Sequence, residues 1–288
     1  MANKFKIGAW VGGSGLHPQP TEENLNAFQE LQGRRIDLLS LFALFDINRW
    51  DWVEIFAEIA RKNGSTLVVT WMPSGYSARK LVEGDADPYI RHFARDIKAY
   101  GREVWLRPLH EANGDWYDWG VGKAGAGNTD ENVAEAFRHI VNIFREEGVT
   151  NVKWVWTTNS SNVGENTTFT GTYPGDDYVD YIAIDGYNWG TIKCWSRWKT
   201  FSEVFRKSYN ALAGIDKPIF IAETSCTESG GNKAEWIADM FKVLPEEFPK
   251  IFGLMWFSQS KSFEADWALD TSPAAVDAWK AGISSQSG

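Results

Sequence analysis

The chain has 288 residues, enough to bury a large core as one barrel-sized domain or two ordinary ones. It carries 38 acidic against 29 basic residues, a formal net charge of -9, with no basic cluster, which argues against a nucleic-acid partner and gives no footprint for an anionic membrane surface. No apolar run is long enough to span a bilayer.

The N-terminus, "MANKFKIGAW", holds no apolar segment with a cleavage site, so either the protein stays in the cytoplasm or a leader has been removed from it. The first apolar run, "KFKIGAWVG" (4–12), reads as a strand. It leads into "VGGSGLHPQP", which is Gly-rich but runs into Pro and not into a helix that could hold a phosphate. "TEENLNAFQELQ" (21–32) is an amphipathic helix with a Thr cap and acids in its first turn. The strand "DLLSLFA" (37–43) is followed by the helix "WDWVEIFAEIARKNG", closed by Gly64. The strand "TLVVTWMP" (66–73) is followed by "DPYIRHFARDIKAYG", with Asp87 as cap, Pro88 at the first helical position and Gly101 at the end. "EVWLRPLHE" reads as a fourth strand over 103–111, and "TDENVAEAFRHIVNIFREEG" as the helix after it. The fifth strand, "VKWVWTTN" (152–159), runs into the one link without a long helix, "GENTTFTGTYPGDDYVD", a loop with at most a short helix near its end. Strands "YIAIDGYN" (181–188), "PIFIAET" (218–224) and "FGLMWFSQ" (252–259) complete the set, each followed by a helical segment: "TFSEVFRKSYNALAG", "NKAEWIADMFKVL" and "SPAAVDAWKAGI".

Most of these strands are nearly continuous apolar runs, as expected of strands covered on both faces. A strand–helix unit repeated about eight times without a linker predicts an α/β fold, a single-domain (β/α)8 TIM barrel over 1–288. A doubly wound open sheet is the alternative, but it usually needs fewer strands and often shows a phosphate loop.

In such a barrel the chemistry sits at the C-terminal ends of the strands. Those ends carry Trp10; Trp71; Arg107, His110 and Glu111; Thr158 and Asn159; Asp185, Tyr187 and Asn188; Glu223; Trp256 and Gln259. There is no Ser-His-Asp set. The four His and two Cys, Cys194 and Cys226, form no cluster, so no metal and no cofactor are expected, and the cysteines read as two free buried thiols, with one bridge between them as the alternative. What remains is a pair of glutamates on strands four and seven that can face each other across the barrel mouth. Two carboxyls flanking a sugar bond are what glycoside hydrolysis needs: one protonates the leaving oxygen, the other attacks or activates water. Alone, Glu111 could be a structural acid paired with Arg107, and Glu223 a helix-start acid. Arg107 reads as the holder of a carboxylate, which would keep Glu223 ionised. Of 16 Trp, several sit in turn-like polar segments: Trp116, Trp119, Trp189, Trp195 and Trp267. As a set they suit a sugar, with its apolar ring face and rim of hydroxyls.

"RPLHEANGDW", "YPGDDYVDYIAIDGYNWG" and "KPIFIAET" resemble glycoside hydrolase family 26, and the likeness runs from "KIGAWVG" to "ADWALDTSPAA". The resemblance implies a retaining endo-β-glycanase on a (β/α)8 barrel. Position by position it implies Glu111 as general acid/base, Glu223 as nucleophile, and His110 in the subsite of the sugar being cleaved. Tyr187 would orient the nucleophile, and Trp116 and Trp256 would line the cleft. Arg107, Asn113, Tyr117, Asp185 and Trp189 join them as supporting or substrate-binding residues. The family contains mainly β-mannanases and also mixed-linkage β-1,3-1,4-glucanases. "DWYDWG" in place of a Trp-Phe-Trp-Trp run, with "DGYNWGT" and "ESGGNKAEWI", is similar to the lichenase wording, while "TWMPSGYSARK" and "WFSQSKSFEADW" depart from it. The resemblance therefore implies hydrolysis of lichenan and barley β-glucan, with endo-β-1,4-mannan as the alternative substrate. Of a different class, a non-catalytic carbohydrate-binding barrel would need neither glutamate. A barrel acting on a phosphorylated metabolite would need a phosphate site after strands seven and eight. The expected partner is a β-linked polysaccharide, with no nucleic acid and no membrane. The chain is expected to act as a monomer, as one part of a larger modular enzyme, outside the cell.

Overall fold

Eight strands lie hydrogen-bonded in sequence order and close on themselves: β1 (Lys6–Val11), β2 (Leu38–Leu44), β3 (Thr66–Met72), β4 (Val104–Pro108), β5 (Val152–Asn159), β6 (Tyr181–Asn188), β7 (Ile219–Cys226) and β8 (Ile251–Ser258). All pairs are parallel, including β8 with β1, so the barrel has no open edge. The structure, a computed structural model, describes residues 5–12 and 19–286. Most of the Gly-rich turn after β1, residues 13–18, lies outside them, as does the first residue assigned to that strand.

The helices follow their sequence signals closely: α1 (Glu22–Gln32), α2 (Trp50–Lys62), α3 (Ala78–Val82), α4 (Asp87–Tyr100), α5 (Asp130–Glu146), α6 (Phe201–Leu212), α7 (Lys233–Glu247) and α8 (Pro273–Ser285). Thr21 caps α1 by accepting from the Asn24 amide at 3.1 Å, and Gly101 ends α4 at φ 68°. The start of α4 differs from expectation. Ala86 is the cap, Pro88 sits one place further in, and Asp87 bonds His139 Nε2 at 2.6 Å instead of capping. The short α3 in the β3–β4 link, capped by Ser77, is an addition to the expected helices; its five residues are too few for an amphipathic period to show in the sequence. The β5–β6 link has only a single 3-10 turn at Asp176–Tyr178, as its sequence suggested. After β8 a two-residue hairpin, β9 (Ser260–Lys261) with β10 (Ala265–Asp266), was not foreseen.

Strand period two sorts the barrel into layers. Leu38, Val68, Trp105, Val155, Phe220 and Met255 belong to one cluster that plugs the interior, with the Trp105 ring stacked on Tyr181 at 4.2 Å. Gly8 in β1 makes room for this plug: a Cβ there would lie 2.6 Å from Met255 and 2.8 Å from Leu38. Two residues further along β2 to β6 come Ser40, Thr70, Arg107, Thr157 and Asp185, all buried. The floor of the barrel mouth is therefore polar. The residues between them, such as Leu39, Leu41, Val69 and Leu106, join the larger core under the helices.

A break in register decides where β7 aims its acid. Ile184 pairs with Ile221, but the next residue, Asp185, pairs with Glu223, so β7 carries one extra residue. Without that insertion Ala222 would oppose Asp185 and Glu223 would point at the helices. The irregularity re-aims Glu223 into the barrel mouth, a common use of extra residues beside active sites.

Candidate active site

Arg107 on β4 is the hub of the site and is fully buried. Its Nη1 donates to both oxygens of Asp185, at 2.7 and 2.8 Å, its Nη2 to Glu223 Oε1, and its Nε to Thr70 Oγ1 at 3.1 Å. Every guanidinium nitrogen thus has an acceptor, as burial of a charge requires. The sequence reading, Arg107 as holder of a carboxylate, understated it: the guanidinium holds two. Tyr187 on β6 donates its hydroxyl to Glu223 Oε2 at 2.8 Å, so both oxygens of this acid are anchored.

Glu111 is placed differently. β4 stops at Pro108, three residues short of the expected end, and the chain turns through Leu109 at φ 55° and Glu111 at φ 54°. Two non-glycine residues in the left-handed region cost on the order of 1–3 kcal/mol each. The turn is held by the Glu111 amide donating to the Thr157 carbonyl at 3.2 Å and by the Gly114 amide donating to the Glu111 carbonyl at 3.0 Å. Its carboxyl accepts from Asn159 Nδ2 at 2.7 Å and from Trp116 Nε1 at 2.8 Å. No ion pair reaches it among the described residues. Burial pushes its pKa up to about 7, helped by the nearby charge of Glu223 and opposed by the Asn159 and Trp116 donors and by Arg107. Asp185 is also pushed up by burial, against the pull of Arg107. Three carboxyls facing one cation cannot all ionise without a net negative charge in a dry site. Glu111, which lacks a cationic partner, is the one poised to carry a proton near neutrality.

Glu111 and Glu223 line one cavity of about 720 Å³, walled by Trp116 and Tyr117 on one side and Tyr187, Trp189, Phe257 and Phe42 elsewhere. That size suits a bound ligand of several rings. The tryptophan set divides. Trp116, Trp189 and Trp195 line the cavity, whereas Trp119 and Trp267 are fully buried. Trp119 donates to the His110 carbonyl at 2.8 Å and stacks on Tyr117 at 4.5 Å; Trp267 packs on Tyr187 at 5.0 Å. These two rings support the rings that touch the cavity.

Trp256, expected to line the cleft, does not. It is fully buried on the helix side of β8, against Trp236 and Trp279, because strand alternation turns the neighbouring Phe257 inward. His110 sits behind the cavity wall with its Nε2 2.9 Å from the Tyr117 hydroxyl. Burial and the Arg107 charge hold its pKa well below the usual histidine value, so it is neutral. Asn113 is a brace: its side chain donates to the Asn159 and Ser161 carbonyls and accepts from the Asn159 amide at 2.8 Å, fixing the end of β5 that presents Asn159 to Glu111. Neither Asp185 nor Arg107 lines the cavity; Asp185 is linked through Arg107 to Glu223, which does. Both cysteines are free, but Cys194 is exposed rather than buried.

The sequence reading gave no role to Asn159, and it missed Phe42, Phe257, Lys199, Lys261 and Glu264 in the cavity wall. Lys261 and Glu264 form an ion pair at 3.3 Å on the unforeseen hairpin, so only its recognition would have brought them forward. Phe42 could have been found, since it stands two residues beyond Ser40 on the inward face of β2.

Comparison with known proteins places the chain among its relatives. The family model "Glycosyl hydrolase family 26" matches residues 62–270. Endoglucanase H of Acetivibrio thermocellus is 48% identical over 280 residues, covering 97% of this chain and 30% of that protein. A mannan endo-1,4-beta-mannosidase of Bacillus subtilis is 29% identical over 170 residues, 57% of this chain and 41% of that protein. The chain thus spans less than half the length of these relatives. Among solved structures, the catalytic domain of the Bacillus sp. JAMB-750 GH26 endo-beta-1,4-mannanase superposes with a TM-score of 0.74 at 15% identity, covering 98% of this chain and 86% of that one, a likeness of fold.

Proposed function

This chain belongs to glycosyl hydrolase family 26, and on that premise we propose that it is the catalytic part of a retaining endo-β-glycanase that cuts β-1,3-1,4-glucan. The observation that carries the reading is the unequal pair of acids in one cavity. Glu223 is anchored by a guanidinium and a phenol, while Glu111 has only neutral donors and a pKa raised to about 7. Acid and nucleophile must differ in this way to act at one pH. Glu223 attacks the anomeric carbon as Glu111 protonates the departing oxygen. Glu111 then takes the proton from the water that releases the sugar. Asn159 and Trp116 hold the Glu111 carboxyl during both steps. Tyr187 and Arg107 fix the face of Glu223 that reacts.

The glucan assignment rests on the 48% identity with a protein named an endoglucanase and on the "DWYDWG" and "DGYNWGT" wording. The second reading, an endo-1,4-mannanase, draws on the several mannan endo-1,4-beta-mannosidases among the relatives. A non-catalytic binding barrel gives no reason for the donor sets built around both glutamates. The chain aligns with 30% of its endoglucanase relative, which supports its being one module of a longer protein; a polymeric substrate too large to enter a cell intact supports that protein working outside the cell. No helix among the described residues is long and apolar enough to cross a membrane.

A substrate panel of barley β-glucan, lichenan, galactomannan, curdlan and xylan tests the reading. Mixed-linkage glucan is expected to give the highest kcat/KM, and proton NMR of the first product is expected to show the β-anomer. A higher kcat/KM on galactomannan would reverse the order of the two substrates, and an α-anomer first would rule out double displacement.

A further inference from the structure

The loop between β6 and α6 presents a tryptophan that the core does not take up. Trp195 is 68% exposed and yet lines the same cavity as the two glutamates. The loop that carries it is tied down at several points. Asn188 Oδ1 accepts from the Gly190 and Lys199 amides, both at 3.2 Å, drawing the two ends of the loop together. The Thr191 amide donates to the Ser229 carbonyl at 3.1 Å, and the two hydroxyls of these residues lie 2.9 Å apart. Ser196 Oγ donates to the Gly190 carbonyl at 2.8 Å. Gly190 sits at φ 52°, where a Cβ would fall 1.8 Å from the Ser229 carbonyl oxygen, so the close approach of the two loops needs glycine. Trp189 backs Trp195 edge-on at 5.4 Å and is itself wedged against Trp267 at 4.9 Å.

The exposure of Trp195 is therefore built in and is not fraying. A large flat ring held against water is unfavourable until something apolar covers it. Its place limits what that can be. Two ring contacts, 6.4 Å from Tyr187 to Trp189 and 5.4 Å from Trp189 to Trp195, lead outward from the nucleophile's partner along the cavity wall. Lys199, on the same wall, adds an ammonium that can donate to hydroxyls.

We propose that Trp195 is the stacking platform of a distal sugar subsite, taking the apolar face of a pyranose ring that lies beyond the reacting sugar on the same β-linked chain. The proposal rests on the β-glycanase reading above. A contact so far from the reacting atoms is made equally in the ground and transition states, so it acts on KM and leaves kcat alone.

The test compares the full chain with Trp195→Ala and Trp195→Phe on the best polysaccharide of the panel and on an activated aryl β-glycoside too short to reach the loop. Trp195→Ala is expected to raise KM on the polysaccharide by about tenfold with kcat nearly unchanged. The defect should be absent from the aryl substrate, and Trp195→Phe should recover most of the affinity. An unaltered KM on the polysaccharide, or an equal loss on both substrates, overturns the platform while leaving the β-glycanase standing. A wild-type chain that turns over neither substrate overturns the β-glycanase reading and the platform with it.

Discussion

Glu223→Ala is expected to lower turnover on every β-glycan by on the order of 10⁴-fold or more, because no covalent intermediate can form. Binding should survive, since the cavity wall contributes many other contacts. The structure also says what the vacancy would be like. Glu223 is 8% exposed and accepts from Arg107 and from the Tyr187 hydroxyl. Removing its carboxylate leaves a buried cation and a phenol donor facing a small space, and Asp185 alone must then balance Arg107. Breaking one arm of a buried ion pair costs about 3–5 kcal/mol. The variant is therefore expected to be less stable, and a melting curve should accompany the kinetics. The same space is suited to a small anion. Azide should bind there, attack the anomeric carbon from the side Glu223 used, and yield an α-glycosyl azide from a substrate with a good leaving group. Glu223→Gln keeps the shape and should be inactive with a smaller loss of stability. If Glu223→Ala retains more than about a hundredth of the wild-type rate on a purified, folded sample, another group is the nucleophile.

The barrel was legible because its strands are largely apolar on both faces and most of its long helices carry side-chain caps, so local signals and the global fold agree. Seven long helices and all eight strands could be read this way, whereas α3 and the β9–β10 hairpin are too short for a period to show. Both glutamates were legible from their places at strand ends. What aims them was not. The extra residue in β7 that turns Glu223 inward leaves no mark in "PIFIAET", because Ala and Ile tolerate either parity. The left-handed turn at Leu109 and Glu111 was hidden inside what reads as a continuing strand, since nothing but packing compels a leucine into that region. Trp256 failed for the related reason that neighbours on a strand face opposite ways, and the aromatic pair Trp256-Phe257 gives no sign of which one faces in. The pairing of Asn159 with Glu111 depends on Asn113 bracing β5 from a different loop, a contact between segments 46 residues apart.

Glu111→Ala should separate the two chemical steps. On polysaccharide, whose leaving sugar needs a proton, the rate is expected to fall by about 10²–10⁴-fold, the usual contribution of a positioned acid. On an aryl glycoside with a good leaving group the first step needs no acid. Glu223 should still attack, and the glycosyl-enzyme should accumulate because no base activates water. Mass spectrometry would detect it as an adduct on the intact chain. Azide needs no general base, so it should release the adduct as a β-glycosyl azide, the opposite anomer to that expected from Glu223→Ala. If the two azide products are exchanged between the variants, the roles of the acids are exchanged too. The pH dependence follows from the environment of Glu111. Burial first, and then the charge of Glu223, hold its pKa at about 7 in the free enzyme. A general acid works only while protonated, so wild-type kcat/KM on polysaccharide should be sustained below that pH and fall as pH rises through about 7. In Glu111→Ala acting on the activated aryl substrate, that limb should vanish from the first step. The same electrostatics drive the second step in the wild type. Once Glu223 becomes a neutral ester, its repulsion is gone while the Asn159, Trp116 and Arg107 contributions that favour the anion remain. Glu111 then sheds its proton more readily and serves as base at the pH where it had been an acid. A basic limb that persists unchanged in Glu111→Ala would assign it to another group and leave Glu111 without its acid role.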